Sequence, residues 1–224
     1  MKGFIRITVV VLAALALSTG GALWTRAVAG AQGLDGIRLL APALEKDKPL
    51  LQALKERQSR RSFADSPLSL QDLSNVLWSA NGINRPESGG RTSPSAENVQ
   101  DVEIYVLLKE GTYLYEPKGH RLLPVIAGDH RGEAGAQAFV ATASLNLIYV
   151  SDLAKLDFTR SREDQLVTAA IDVGHCSQGV YLYGAAAGLA VVARTSVDGA
   201  RMARLLKLRP EQRVLMGQTV GYPR

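Results

Sequence analysis

Apolar side chains at Leu70, Leu73, Val76, Leu77 and Ala80 form the i, i+3, i+4 stripe of an amphipathic helix. Ser69 and Asp72 frame its start as a capping box, and Asn81-Gly82 supplies the stop. A shorter stripe, Leu50, Leu51 and Leu54, predicts a helix within residues 48–57. Residues 129–138 are expected to be helical with Asp129 as N-cap, and Asp198 is expected to cap a helix that reaches Leu206. The longest helical pattern covers 161–187 and is apolar on most sides, more so after Gly174. Such a helix belongs in a core or an oligomer interface.

Period-two patterns fill most of the intervals. Residues 103–108 alternate and are β-branched, and with Tyr113-Leu114-Tyr115 across a Lys109-Glu110-Gly111-Thr112 turn they predict a hairpin. The run LNLIYV at 145–150 reads as a buried strand, with further strands at 189–193 and 213–220. Tyr105, Tyr113, Tyr115 and Tyr149 lie in these strands, where aromatics pack, and Trp78 edges the core stripe of its helix. Residues 32–47 read as an arm or linker, and 84–98 as a loop by composition. Helices and strands mix without regular βαβ alternation, so the fold class is α+β and not a doubly wound sheet.

Length allows one domain. Of 224 residues, 1–31 have the layout of a secretory signal segment: Lys2 and Arg6, an apolar run over 7–17, then A-x-A patterns at 27–29 and 29–31. The run falls short of the roughly 20 residues that span a bilayer, so membrane attachment is expected only through an uncleaved signal. The reading is therefore an exported, periplasmic or extracytoplasmic protein, with 32–47 as N-terminal arm and 48–224 as the domain. Outside the signal, 23 basic residues face 21 acidic ones, and no basic stripe with interleaved aromatics points to nucleic acid. The single cysteine, Cys176, excludes an intramolecular disulfide and a cysteine-based metal cage.

Three segments could carry chemistry. Arg57-Gln58-Ser59-Arg60-Arg61 leaves a helix with guanidinium groups that fork onto phosphate oxygens, although alone it reads as readily as a solvated helix end. The 91–100 segment places small residues around Pro94, with Asn98 and Gln100 as donors and acceptors for a flat ligand. Residues 188–196 are a small-residue strand running into a polar turn. His175 and Cys176 are helix neighbours about 100° apart and do not face each other, so both are expected to be buried and structural. His120 and His130 lack the carboxylate pattern of a metal site, so no metal is expected.

Taken in order, "RQSRRSF", "PLSLQDLSNVLWSANGINRPESGGRTSPSAEN", "GHCSQGVYLYGAAAGLAVV" and the terminal "VGYP" resemble the nitroreductase superfamily, its SagB-type dehydrogenase branch most closely. The resemblance covers residues 48–223. It implies a nitroreductase-like mixed sheet flanked by helices, FMN as cofactor, and a homodimer with the apolar 161–187 helix at its interface. It also implies that Arg57, Ser59 and Arg61 hold the ribityl phosphate, with Arg224 as a further candidate. Pro94, Ser95, Ala96 and Asn98 would approach the flavin from the partner subunit. Arg194, Thr195 and Ser196 would face the reactive edge of the ring, and Gln137 its pyrimidine. Flavin carries its own hydride chemistry, so no catalytic residue is required of the protein. The implied activity is two-electron reduction or oxidation of a small planar or heterocyclic molecule such as a quinone, nitro compound or azoline. The alternative is an exported, non-catalytic flavin-binding or scaffold protein. One departure is Gln178-Gly179, where relatives often carry Gln-Asn.

Overall fold

The computed structural model describes residues 31–45, 48–159 and 161–224; of the expected export segment only Ala31 is among them. In chain order the elements are β1 (Ile37–Arg38), α1 (Leu50–Glu56), α2 (Leu70–Asn81), the hairpin β2 (Ile83–Arg85) and β3 (Gly90–Arg91), and β4 (Val102–Leu107). There follow β5 (Gly111–Glu116), β6 (Arg121–Ala127), α3 (Ala138–Thr142), β7 (Leu145–Asp152), α4 (Arg162–Ala187), β8 (Ala190–Arg194), α5 (Gly199–Leu205) and β9 (Gln212–Gly221). A seven-stranded sheet runs β1-β6-β5-β4-β7-β9-β8. The class is α+β with helices flanking this sheet; every described pairing in it is antiparallel rather than mixed.

The continuous apolar run at 145–150 follows from this layering. Leu145, Leu147 and Tyr149 of β7, with Ile104 and Val106 of β4, pack against Leu73, Val76 and Leu77 of α2 and Val173, Cys176 and Val180 of α4. Their neighbours Ile148, Val150, Tyr105 and Leu107 face the other way, onto Val140 of α3, Met202 of α5 and Ala134. A central strand covered on both faces cannot alternate apolar with polar.

Local signals set the helix ends. The Ser69 hydroxyl accepts the Asp72 N–H at the start of α2, Ser161 does the same for Asp164 at α4, and Asp198 caps α5 through the Arg201 N–H. Gly188, at φ 73°, ends α4 in the left-handed conformation that favours glycine. Where α2 and α4 cross, a β-carbon on Gly179 would run into the Ser79 carbonyl oxygen, so this glycine permits the close approach of the two helices. Gly179→Ala is expected to cost about 2 kcal/mol through overpacking against backbone that cannot yield. Urea unfolding with an unchanged slope and a lowered midpoint would show it.

Several expectations are corrected. Residues 129–138 are not one helix: a 3-10 turn over Arg131–Ala134 is followed by extended backbone at Gly135, and α3 starts only at Ala138. The Asp129 carboxylate is taken up by the Arg131 backbone N–H, Nε and Nη2, at 3.1, 2.9 and 2.7 Å, and does not cap a helix. The Ala134 carbonyl, which a helix would need, accepts from Arg194 instead. The described part of the expected arm, residues 32–45, is knitted into the fold rather than trailing from it. Its Ile37 and Arg38 pair with β6, and Leu40 N–H and Ala43 N–H donate to Ser74 and Asn75 of α2. The 84–98 loop contains the small β2–β3 hairpin and a 3-10 turn at Ala96–Asn98. The strand β6 was hidden by Pro124, which the sheet accommodates by a register shift opposite Thr112 and Tyr113 and by ending β1 before it. In α1 only Ala53 is buried, and Leu50, Leu51 and Leu54 point outward from the single chain.

Candidate cofactor site

The Arg-rich segment leaves α1 in extended conformation and lies along the sheet-edge strand β8, where Arg60 N–H donates to the Val191 carbonyl at 3.0 Å. Tyr181 of α4 is the pivot. Its hydroxyl accepts the Ala193 N–H at 2.8 Å and bonds the Ser59 hydroxyl at 2.9 Å, and the Arg57 guanidinium lies 5.4 Å from its ring centroid. Downstream, Phe63 bridges to Pro223 and Ala64 N–H donates to Tyr222 O, which brings the Arg224 backbone beside Ser62. The C-terminal residues are tied down by the Asp72 carboxylate, which accepts the Tyr222 and Tyr183 hydroxyls at 2.9 and 2.7 Å. Arg60 and Arg61 are exposed and Arg57 half-buried, and among the described residues none of the three forms an ion pair.

Across β8, Arg194 is buried. Its guanidinium donates to the Ala134 carbonyl (2.7 Å), Asn146 Oδ1 (3.1 Å) and Thr219 Oγ1 (2.9 Å), which joins β7, β8, β9 and the 131–134 turn. Burial pushes its pKa down to about 10. A β-carbon on Gly135 would collide with this guanidinium, which accounts for the glycine and for the break before α3. Arg194 thus works as a post beneath the turn, and the exposed Thr195 and Ser196 are what the turn presents. Gln137, the residue just before α3, donates from Nε2 to Ser196 Oγ at 2.7 Å. Its Oε1 is buried without a donor.

The second segment sits elsewhere. Ala96 N–H donates to both carboxylate oxygens of Asp172, at 3.2 and 3.0 Å, and the Ser95 hydroxyl accepts the Gln100 N–H at 3.0 Å. Glu97, Asn98 and Gln100 hold positive φ (46°, 54° and 51°), backbone that non-glycine residues adopt only when firmly anchored. Asp172 and Tyr181 are nine positions apart on α4, or about 13.5 Å along the helix axis. One chain therefore brings Arg57, Ser59, Arg61, Gln137, Arg194, Thr195 and Ser196 together around β8. It does not bring Pro94, Ser95, Ala96 and Asn98 to them.

The residues around β8 fit an FMN. Three arginines without an acid partner among the described residues, and a serine hydroxyl, suit a phosphate dianion. The orphaned Gln137 Oε1 is an acceptor that suits the ring N3–H of an isoalloxazine. A small cavity of about 60 Å³ beside them is lined by Lys48, Gln58, Arg60 and Tyr181. A cavity of about 510 Å³, lined by Leu68, Leu73, Leu108 and Arg131 among others, shares no residue with the site. Tyr181 and Asp172 carry positions that sequence reasoning did not single out. Asp172 had a signal, as the one acid in an otherwise uncharged stretch of helix after Asp164.

The model of the nitroreductase family matches residues 54–222. The chain belongs to the nitroreductase family. A nitroreductase relative from Methanocaldococcus jannaschii is 31% identical over 193 residues, covering 81% of this chain and 96% of its own. A nitroreductase crystal structure from Ralstonia eutropha JMP134 is 33% identical with a TM-score of 0.79, over 84% of this chain and 90% of that one. The NADPH:FMN oxidoreductase of Vibrio harveyi, solved with NAD+, shares the fold at 19% identity and a TM-score of 0.58, over 78% of this chain and 68% of that one. As a member of this family the protein is a flavin-dependent oxidoreductase.

Two tempting side chains separate here. Cys176 is buried and its thiol is pushed up to about 12, chiefly by that burial, so it is chemically quiet. His175, expected to be buried with it, is exposed on the single chain. Among the described residues there is no group of ligands that could hold a metal ion and no helix long and apolar enough to cross a membrane.

Proposed function

We propose that this nitroreductase-family protein is an exported homodimer that binds one FMN per subunit and transfers two electrons to or from a small planar or heterocyclic molecule, of the quinone, nitro or azoline kind. The observation that carries the reading is that Arg57, Arg60 and Arg61, which form no ion pair among the described residues, lie around β8 together with the orphaned Gln137 acceptor. Arg57, Ser59 and Arg61 would grip the phosphate, and Gln137 would orient the pyrimidine edge. Thr195 and Ser196 would supply hydroxyl donors along the ring. Bound there, the flavin supplies the hydride chemistry. Fixed donors beside it favour the negative charge that builds on reduction. Export would separate the protein from the cytoplasmic NAD(P)H pool, so its electrons would come from a different donor.

The dimer reading rests on apolar surface. Leu166, Val167 and Ile171 of α4 stand exposed at 37%, 56% and 54%, on a face that continues through Gly174 and His175, while α1 exposes Leu51 at 79%. Contiguous apolar helix surface of this kind marks an interface. A second copy seated there would also account for the separation of the 94–98 segment from the β8 site, since the partner's loop could complete it. Sedimentation should give twice the chain mass for the wild type. Ile171→Glu should sediment as a monomer and lose FMN binding, and a dimeric variant that keeps its flavin would refute this interface.

A further inference from the structure

Two buried acids, Asp101 and Asp172, lie outside the residues gathered around β8. α4 carries Asp172 in its otherwise apolar middle, 3% exposed, with both oxygens accepting the Ala96 N–H. Asp101, fully buried at the start of β4, accepts the Ser151 hydroxyl on Oδ2, while its Oδ1 has no donor. Asp172 lies within hydrogen-bonding reach of Asp101. Two ionised carboxylates so placed would need a cation, because buried charge is costly unless it is paired. Among the described residues, the groups that face the pair supply none. They are Ser151 from β7, Cys176 one turn along α4, whose thiol stays neutral with a pKa of about 12, and Ser93 beside that thiol. The nearby Lys155 ammonium is directed to the Gln100 carbonyl at 2.9 Å.

We propose that Asp101 keeps a proton that it donates to Asp172, and that this pair positions the 94–98 segment by holding the Ala96 amide. A proton on Asp101 Oδ1 donated to Asp172 satisfies the orphaned acceptor. The Ser151 hydroxyl then donates to the neutral Asp101 carboxyl, and Asp172 accepts both that carboxyl's proton and the Ala96 N–H. Asp172 is thereby a positioning residue. It fixes the amide next to Glu97, Asn98 and Gln100, whose left-handed backbone needs an anchor. Only the last step, that the anchored loop serves the flavin of a second subunit, rests on the function proposed above.

The geometry carries a pH dependence. Burial, opposed by the Ser151 hydroxyl and reinforced by the Asp172 charge, pushes Asp101 from the ordinary 3.8 up to about 6. The seated loop therefore holds the proton more tightly than a lifted loop that lets water reach Asp101. Anchoring is complete below the ordinary carboxylate range and is lost as pH rises through about 6. With those two values, lifting becomes easier by roughly tenfold between pH 5 and pH 8.

Hydrogen–deuterium exchange of the Ala96 amide in the intact, flavin-free protein, corrected for intrinsic rates, reads this directly. Protection should fall roughly tenfold from pH 5 to pH 8 in the wild type and by no more than about twofold in Asp101→Asn. That side-chain amide can donate to Asp172 permanently while its carbonyl accepts Ser151. Asp172→Ala should lose the protection at both pH values. In the wild type, the Asp101 carboxyl resonance should titrate near 6. A wild type with no fall, or an equal fall in wild type and Asp101→Asn, would overturn the proposal. FMN titrations at the same two pH values separate the two readings. Exchange that behaves as expected in a protein that binds FMN at neither pH supports the proton pair and rejects the flavin site.

Discussion

Arg194→Ala is expected to lower the unfolding free energy by about 3–5 kcal/mol, on the scale of removing one partner from a buried charged network. The guanidinium donates to Ala134, Asn146 and Thr219 at once, and these acceptors are walled in by β7 and β9. Asn146 has its own commitments, donating to the Val140 carbonyl at 2.8 Å and accepting the Thr219 hydroxyl at 2.6 Å. Truncation would leave oxygens facing a void too polar to stay dry and too crowded to relax. Arg194→Lys should recover little, because one ammonium on a flexible stem cannot reproduce a planar fork aimed at three sites. Since whole domains are stable by only about 5–15 kcal/mol, urea unfolding would show the change as a large fall in midpoint. A loss below about 1 kcal/mol would mean that the network is ornamental.

The second large effect concerns the cofactor. Arg61→Ala should weaken FMN binding by roughly 10- to 100-fold, the worth of one charge-assisted contact to phosphate, with the circular-dichroism spectrum unchanged. Arg57→Ala should do the same and also loosen Tyr181, over whose ring its guanidinium lies at 5.4 Å. The double variant should fall further than either single change, and its residual binding should lose its salt dependence. Arg60→Ala should matter less. The fold uses its backbone N–H on Val191, which the substitution preserves. Flavin fluorescence quenching measures all four proteins. Unchanged affinity in the double variant would move the phosphate site elsewhere.

Much of this architecture was written in local signals. The Ser69 and Asp198 caps, the stripe of α2 and the apolar run of β7 act within a few residues of themselves, so periodicity and capping rules reach them. What escaped depends on partners far along the chain. Residues 129–138 look helical, but Arg194, sixty residues on, takes the Ala134 carbonyl and needs Gly135 bare. Pro124 argues against a strand until its neighbour β1 is seen to stop short of it. The leucines of α1 follow a helical stripe correctly, yet that stripe faces out of the single chain. The candidate site divides in the same way. Arg57, Ser59 and Arg61 could be named from a motif. That Arg194 is a buried post rather than a surface donor follows only from the acceptors gathered around it. Tyr181 and Asp172, which tie the site segments to the scaffold, are an aromatic and an acid in stretches where packing and solvation are the ordinary readings.

The central claim is flavin-centred redox chemistry outside the cytoplasm, and the visible absorption spectrum of protein isolated from its exported fraction tests it most directly. Flavin bands are expected at about one FMN per subunit, bleached by a chemical reductant and restored by a quinone or nitro acceptor. A colourless preparation that stays colourless after FMN is added would contradict it.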